Sequence, residues 1–193
     1  MRGATKVRRD GFTLVEILVT LLLIGLLVGV VLPSVLSQSE KGENQRVIDD
    51  LEAIRSATKL FRLDVQRWPG ALDQLVVAST GAWSTTNDLS GNAIPGGLLN
   101  KWAGPYLELG DLPGDTLLTA LGGSVQTAFS TTSWGGTDFL SIQVNHIPQT
   151  NAQAISELVD GDTDVSSSAD SGGRVRWVSG TPNYLLYLAT PIN

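Results

Sequence analysis

The first strong pattern along the chain is an almost uninterrupted run of apolar residues near the N-terminus. Between Phe12 and Leu36 the only charged residue is Glu16. Such a run is long enough for one helix to cross the hydrocarbon core of a bilayer, which takes about 20 residues. A carboxylate inside a span costs about 2.5–3.5 kcal/mol unless it has a partner, and less if it lies at headgroup level. The pattern predicts a membrane-spanning helix over residues 12–36 and leaves Glu16 to be explained.

After residue 37 the apolar positions become periodic, and most of the positions between them are polar or charged. The positions that share one helical face are Val47, Leu51, Ile54, Thr58, Phe61 and Val65. This spacing is typical of an amphipathic helix. The helix should end near Arg67, because Pro69 and Gly70 follow shortly after it. We therefore expect one helix over residues 12–66, whose second half, within residues 37–67, packs on a domain.

Residues 68–193 change to a pattern of short strands and loops. A short helix is expected over residues 71–77 and another over 151–159, separated by a Gly-, Ser- and Thr-rich loop over 78–104 that Trp83 and Trp102 pin to the domain. Branched and aromatic residues predict four strands. Those strands are 124–130, 137–145, 174–179 and 183–189. The expected fold class is α+β, with one long helix packed on a small antiparallel sheet.

Basic residues before the apolar run set the expected orientation in the membrane. Four of them stand against the single acid Asp10: Arg2, Lys6, Arg8 and Arg9. Positive charge stays on the cytoplasmic side, so the N-terminus is expected inside and the remaining chain outside the inner membrane. A secretory signal would be cut after the apolar run, but Val35-Leu36-Ser37 is a poor small-x-small cleavage site.

The stretch Gly11-Phe12-Thr13-Leu14-Val15-Glu16 resembles the cleavage and methylation motif of type IV pilins and of the pseudopilins of type II secretion. The resemblance implies a pilin-like fold and a leader, residues 1–11, that prepilin peptidase removes between Gly11 and Phe12. The new Phe12 amine would then be N-methylated. Glu16 would supply its counter-charge, usually in the neighbouring subunit, and a charge pair in apolar surroundings is favourable only when both members are present. The resemblance also implies that Pro33 kinks the helix or melts one turn rather than ending it.

Two further stretches are similar to the helix end and following loop of the major pseudopilin. They are Phe61-Arg62-Leu63-Asp64-Val65-Gln66-Arg67-Trp68-Pro69 and Lys101-Trp102-Ala103-Gly104-Pro105-Tyr106-Leu107. The similarity covers roughly the first 107 residues, but the chain is longer than that family and lacks the Asp-Pro-Trp-Gly segment usual after Gly-Pro-Tyr-Leu. The implied function is a structural subunit of a type II secretion pseudopilus, favoured over a type IV pilus. The implied partners are copies of itself, minor pseudopilins, prepilin peptidase and an inner-membrane assembly platform, with the globular domain in the periplasm before filament assembly.

Composition argues against several other classes of function. The net charge of −6 argues against binding to nucleic acid. The chain has no cysteine and a single histidine, His146, and no catalytic motif is present. We therefore expect no enzymatic activity, which argues against a secreted hydrolase. The alternative to a filament subunit is a single-pass anchored binding module that does not polymerise, and Glu16 distinguishes the two.

One acidic segment is a candidate cation site. Asp160, Asp162 and Asp164 alternate along the chain, and Asp170 follows in a Ser- and Gly-rich stretch. Hard cations such as calcium prefer several oxygen ligands on a flexible loop, although the EF-hand spacing is not matched. The alternative is a solvated acidic turn. The resemblance adds weight to calcium, because major pseudopilins commonly bind calcium in a C-terminal loop, and this domain has no disulfide to close that loop.

Overall fold

The computed structural model describes residues 12–77, 80–108, 117–166 and 173–192. The chain divides into two compact units, Met1–Glu40 and Lys41–Asn193. One helix, α1 (Leu14–Val65), contributes to both units. The helix expected over residues 12–66 is thus confirmed to within two residues at each end. The expected leader, residues 1–11 with Gly11, lies outside the described residues.

The first unit contains the apolar part of α1. Its stretch Leu14–Leu32 has 19 residues and a mean hydropathy of 2.9, and none of it is buried against the rest of the chain. By length and composition this segment is able to cross a membrane. The helix continues past Pro33, which confirms that this proline does not end it. The kink at Pro33 stays a prediction.

The second unit is organised by the amphipathic part of α1. All six positions predicted to share a face are buried at 0–1% exposure: Val47, Leu51, Ile54, Thr58, Phe61 and Val65. Fully burying one large apolar side chain contributes about 1.5–3 kcal/mol, so this face supplies much of the stability of the unit. The residue that follows the helix, Gln66, adopts φ 60° and donates its N–H to the Arg62 carbonyl at 2.9 Å. A left-handed residue after the last turn is a common helix ending, usually made by glycine.

Short helices connect α1 to the sheet. They are α2 (Asp73–Val76), a 3₁₀ turn (Thr80–Ala82) and α3 (Gly96–Leu99). Helix α2 confirms the helix expected over residues 71–77, and the 3₁₀ turn and α3 lie in the segment 78–104 that was expected to be a loop. Trp83 is buried and Trp102 half-buried, and their rings meet edge to face at 5.7 Å. The Trp102 indole N–H also donates to the Gln74 carbonyl at 3.1 Å. The expectation that these two tryptophans hold the loop is confirmed.

The six-stranded sheet follows, interrupted by one longer helix, α4 (Gln149–Val159). Its strands are β1 (Leu117–Leu118), β2 (Ser124–Val125), β3 (Ser130–Trp134), β4 (Thr137–Asn145), β5 (Val175–Val178) and β6 (Tyr184–Pro191). The order is β1-β2-β4-β6-β5, with β3 paired to β4, and every pairing is antiparallel. The expected α+β class with an antiparallel sheet is confirmed.

The single strand predicted over residues 124–130 is wrong. Residues 127–129 leave the sheet to bond the segment before α2, where the Leu72 N–H donates to the Thr127 carbonyl and the Phe129 N–H to the Gly70 carbonyl. The chain enters β3 only at Ser130 and turns into β4 through Gly135 and Gly136, both at positive φ. Paired positive φ values are what a two-residue hairpin turn requires.

Candidate assembly helix and acidic turn

The N-terminal turn of α1 is built around Thr13 and Glu16. The Glu16 N–H donates to the Thr13 hydroxyl at 3.2 Å and lies 3.1 Å from the Thr13 carbonyl. Thr13 therefore caps the helix, which satisfies one of the N–H groups that the first turn leaves without a partner. The Glu16 carboxylate sits in that first turn, where the positive end of the helix dipole favours an anion. Sequence reasoning missed the role of Thr13, although Thr-x-x-Glu is the spacing of a capping box.

The apolar side chains that follow present their surface outward all around the helix. The large apolar residues between Phe12 and Leu32 range from 48% exposure at Ile17 to 79% at Phe12. The Thr20 hydroxyl within this stretch is satisfied by the helix itself, since it donates to the carbonyls of Glu16 at 2.7 Å and Ile17 at 2.9 Å. Such a surface needs an apolar environment, either lipid or other apolar helices.

The two stretches that resemble the major pseudopilin contact each other in the second unit. The Tyr106 hydroxyl donates to Asp64 at 2.7 Å and accepts the Ala103 N–H at 3.1 Å. Its ring lies edge-on to those of Phe61 and Trp102, each at 6.0 Å. Burial, together with the carboxylate of Asp64, raises the pKa of Tyr106 to about 12. The Gly-Pro-Tyr-Leu segment is therefore docked on the end of α1.

The acidic turn begins where α4 ends. Asp160 is buried to 5% side-chain exposure, and its Oδ2 accepts the backbone N–H groups of Arg174 at 2.7 Å and Val175 at 2.9 Å. Asp162 accepts the N–H of Asp164 at 2.9 Å. Asp164 in turn accepts the N–H of Ser166 at 2.9 Å, and hydrogen bonding from Ser166 holds the pKa of Asp164 below its usual value. Aspartates that bond the backbone two residues ahead are typical of Asx turns.

Two guanidinium groups interact with this turn, Arg174 by a direct contact and Arg176 through its charge. The Arg174 Nε lies 3.9 Å from Asp160 Oδ1, and its Nη1 lies 3.4 Å from Glu52 Oε1 and 3.1 Å from the Tyr187 hydroxyl. Tyr187 also donates to Glu52, and burial followed by this hydrogen bond raises the pKa of Tyr187 above its usual value. Arg174 thus links the acidic turn to α1 and β6. Sequence reasoning missed this network, because its members are separated by more than a hundred residues along the chain.

Arg176 is the second cation and is almost completely buried, at 1% exposure. It donates to the Val175 carbonyl at 2.7 Å and to the Gly173 carbonyl, and its guanidinium lies 4.3 Å from the centre of the Trp134 ring. Burial lowers the pKa of Arg176, while the charges of the three aspartates at 160, 162 and 164 oppose that shift.

The candidate calcium ligands are only partly brought together. Asp160, Asp162 and Asp164 share one turn, and Asp170 lies outside the described residues. Among the residues that the structure describes, no group of three or more acidic, histidine or cysteine side chains could hold a metal. The described residues do not fit a calcium site, because Asp160 is occupied by two amides and a guanidinium. The part of the calcium expectation that concerns Asp170 is not tested by the described residues.

His146 occupies a turn. It has φ 62°, follows β4, and donates its backbone N–H to the Asn183 carbonyl at 2.8 Å. This position fits a role in turning the chain.

Comparison with known proteins matches the N-terminal part of the chain to a family motif and about two thirds of the chain to named relatives. Residues 6–32 match the family described as "Prokaryotic N-terminal methylation motif". The chain is 30% identical over 142 residues to the type II secretion system core protein G of Aeromonas hydrophila, covering 69% of this chain and 98% of that protein. The protein of the same name from Escherichia coli (strain K12) is 30% identical over 143 residues, covering 70% and 96%. That from Vibrio cholerae is 29% identical over 113 residues, covering 56% and 74%. No solved structure matches this chain significantly.

Proposed function

Since the chain belongs to the family of the type II secretion system core protein G, we propose that it is a structural subunit of a secretion pseudopilus that assembles through residues 12–36. The observation that carries this function is the apolar stretch Leu14–Leu32, which has no buried share within the chain. A surface that is apolar on every side is stable in lipid and equally stable among other apolar helices. The same helix therefore suits a subunit that waits in the membrane and then enters a filament.

Processing between Gly11 and Phe12 by prepilin peptidase would place a new, methylated amine just ahead of the capped turn at Thr13. In apolar surroundings this cation needs a counter-charge, and the Glu16 carboxylate of a neighbouring subunit supplies it. Removing one member of a buried ion pair costs about 3–5 kcal/mol. Pairing between subunits would thus fix the axial position of each helix in the filament.

The orientation follows from the basic residues before Phe12. The N-terminus would remain cytoplasmic in the inner membrane, and the second unit would lie in the periplasm until assembly. The proposed partners are other copies of the chain, minor pseudopilins and the assembly platform. The role is mechanical and structural, and neither an enzymatic step nor contact with nucleic acid is part of the proposal.

The first test is mass spectrometry of the mature N-terminus of membrane-extracted protein. A chain that starts at Phe12 with one added methyl group supports the proposal. A start near Gln38 would mean an ordinary signal peptide and a secreted domain, and would overturn it. An intact Met1 would leave the anchored binding module as the better explanation.

The second test is Glu16→Ala in cells that assemble the pseudopilus. We expect the variant to insert and to be cleaved normally, but to enter sheared filaments at least about a hundredfold less than the wild type, as a loss of 3–5 kcal/mol implies. Thr20→Ala, one helical turn further on, is the matched control, because its hydroxyl bonds only the carbonyls of its own helix among the described residues. Filament incorporation of Glu16→Ala at the level of Thr20→Ala would favour a module that does not polymerise.

A further inference from the structure

The acidic turn carries its own cations. Three carboxylates, at Asp160, Asp162 and Asp164, share the turn; the Arg174 guanidinium lies 3.9 Å from Asp160, and the charge of the buried Arg176 interacts with all three. A turn with this much negative charge needs compensation, which a divalent ion or basic side chains are able to supply. The geometry points to the second solution.

We propose that Arg174 and Arg176 take the place of a divalent cation at this turn, so that the second unit folds and stays folded without bound calcium. This inference concerns the stability of the domain and does not depend on the proposed function. It rests on three features of the described residues: the occupancy of Asp160, the burial of Arg176, and the link that Arg174 makes to α1.

Asp160 is the carboxylate of the turn best placed by burial to anchor an ion, but its Oδ2 already accepts two hydrogen bonds. One oxygen accepts the N–H groups of Arg174 and Val175 at 2.7 and 2.9 Å, and the other lies 3.9 Å from the Arg174 guanidinium. A metal ligand has to offer a lone pair at 2.3–2.6 Å from calcium. Turning Asp160 toward an ion would leave two backbone donors without a partner at the start of β5, which is unfavourable in a buried position.

Arg176 places a permanent positive charge inside the domain. A buried guanidinium is tolerated only with acceptors and opposite charge around it, and these are the carbonyls of Val175 and Gly173, the face of Trp134, and the aspartates of the turn. The two arginines offset much of the negative charge of the three carboxylates. A calcium ion added beside Arg176 would meet a like charge.

Arg174 connects the turn to the main helix. Its guanidinium lies 3.4 Å from Glu52 and 3.1 Å from the Tyr187 hydroxyl, while its own N–H is held by Asp160. The turn, α1 and β6 are therefore joined through one side chain. In this chain, which has no cysteine, such a network is a substitute for a covalent or metal cross-link.

The test compares the thermal unfolding midpoint of the full chain in detergent micelles with calcium chloride and with excess EGTA, followed by circular dichroism. A calcium site at a hundred times its Kd would raise the midpoint by roughly 5–10 °C in a chain of this size. We expect the midpoints with calcium and with EGTA to agree within about 1 °C, a shift much smaller than calcium binding would produce. A fall of about 5 °C or more on chelation would overturn the proposal. This comparison uses the wild-type chain and so needs no variant to fold.

Arg176→Met tests the role of the guanidinium itself, with Arg46→Met as the matched control because Arg46 is exposed on α1. We expect Arg176→Met to lower the midpoint by roughly 5 °C or more with calcium and with EGTA alike, and Arg46→Met to leave it within about 2 °C. Equal midpoints for the two variants would overturn the assignment of counter-charge to Arg176. If Arg176→Met does not fold, Arg174→Met with the same control gives the corresponding measurement for the second cation.

Discussion

Phe61→Ala is the sharpest test of whether the second half of α1 is the central support of the domain. Phe61 is fully buried, and its ring centre lies 6.0 Å from those of both Trp83 and Tyr106. Truncating a buried Phe to Ala costs about 3–5 kcal/mol through lost transfer energy and the cavity left behind. The lost ring contacts, about 0.5–1.5 kcal/mol each, place the expected value at the upper end of that range. A loss of about 4–5 kcal/mol is a large part of the 5–15 kcal/mol typical of a whole domain.

The assay is urea unfolding of the full chain in detergent micelles, followed by tryptophan fluorescence, because Trp83 packs directly on the mutated ring. Leu63→Ala is the matched control, since Leu63 lies two residues further along the same helix and is 74% exposed. We expect the control to change the free energy of unfolding by less than about 0.5 kcal/mol.

The reasoning would be refuted by similar free energies of unfolding, within about 0.5 kcal/mol, for Phe61→Ala and Leu63→Ala. That result would mean that the face of α1 carrying Phe61 is not packed against the domain. Phe61→Leu should lie between the wild type and Phe61→Ala, because it keeps most of the volume but loses both ring contacts.

Two further predictions concern pH and close backbone packing. Burial alone would raise the pKa of Glu52, but hydrogen bonding from Tyr187 and the neighbouring arginines outweighs burial and lowers that pKa below 4.5. The ionised Glu52 therefore stabilises the folded state above about pH 4.5, and this stabilisation is lost as the pH falls through the pKa of the folded state. Urea midpoints measured at about pH 7 and pH 4 should fall less in Glu52→Gln than in the wild type, and identical falls would contradict the network. In Gly70→Ala the new Cβ would lie 2.6 Å from the Asn87 carbonyl oxygen, and this backbone atom is not free to rotate away, so we expect a loss of about 1–3 kcal/mol in urea unfolding. Gly97→Ala, which has open space for its Cβ, is the control, and equal stability of the two variants would argue against the close approach.

The parts of the fold that were predictable are those in which local pattern and packing agree. The helical face ending at Val65 is periodic, and strand β4 is predicted at its observed bounds, Thr137–Asn145. Strand β3, Ser130–Trp134, was missed except for its first residue, because its Ser and Thr residues give no apolar alternation. Its hydroxyl groups bond Ser141 of β4 instead, at 2.8–2.9 Å, and such pairing depends on a partner strand that the local sequence does not show.

The candidate functional residues divide in the same way, into those that the local sequence reveals and those that depend on distant partners in the fold. Glu16 stood out because a charge in an apolar run has a cost that demands an explanation, whereas the capping contact of Thr13 was hidden in an ordinary spacing. The four aspartates stood out by composition alone. The cations that interact with three of them, Asp160, Asp162 and Asp164, were not predictable, because Arg174 and Arg176 come from a different part of the chain and Glu52 contacts Arg174 from the distant helix.

The position of β6 has a consequence for how the protein is made. This late strand lies between β4 and β5 and carries Tyr187, which bonds Glu52 across a separation of 135 residues. At about 5–20 residues per second, the growing chain needs roughly 7–27 seconds between these two partners. During that time the apolar face of α1 lacks the sheet against which it packs in the folded domain. Until β6 is made, this face is therefore open to other apolar partners, such as a chaperone or a bilayer surface.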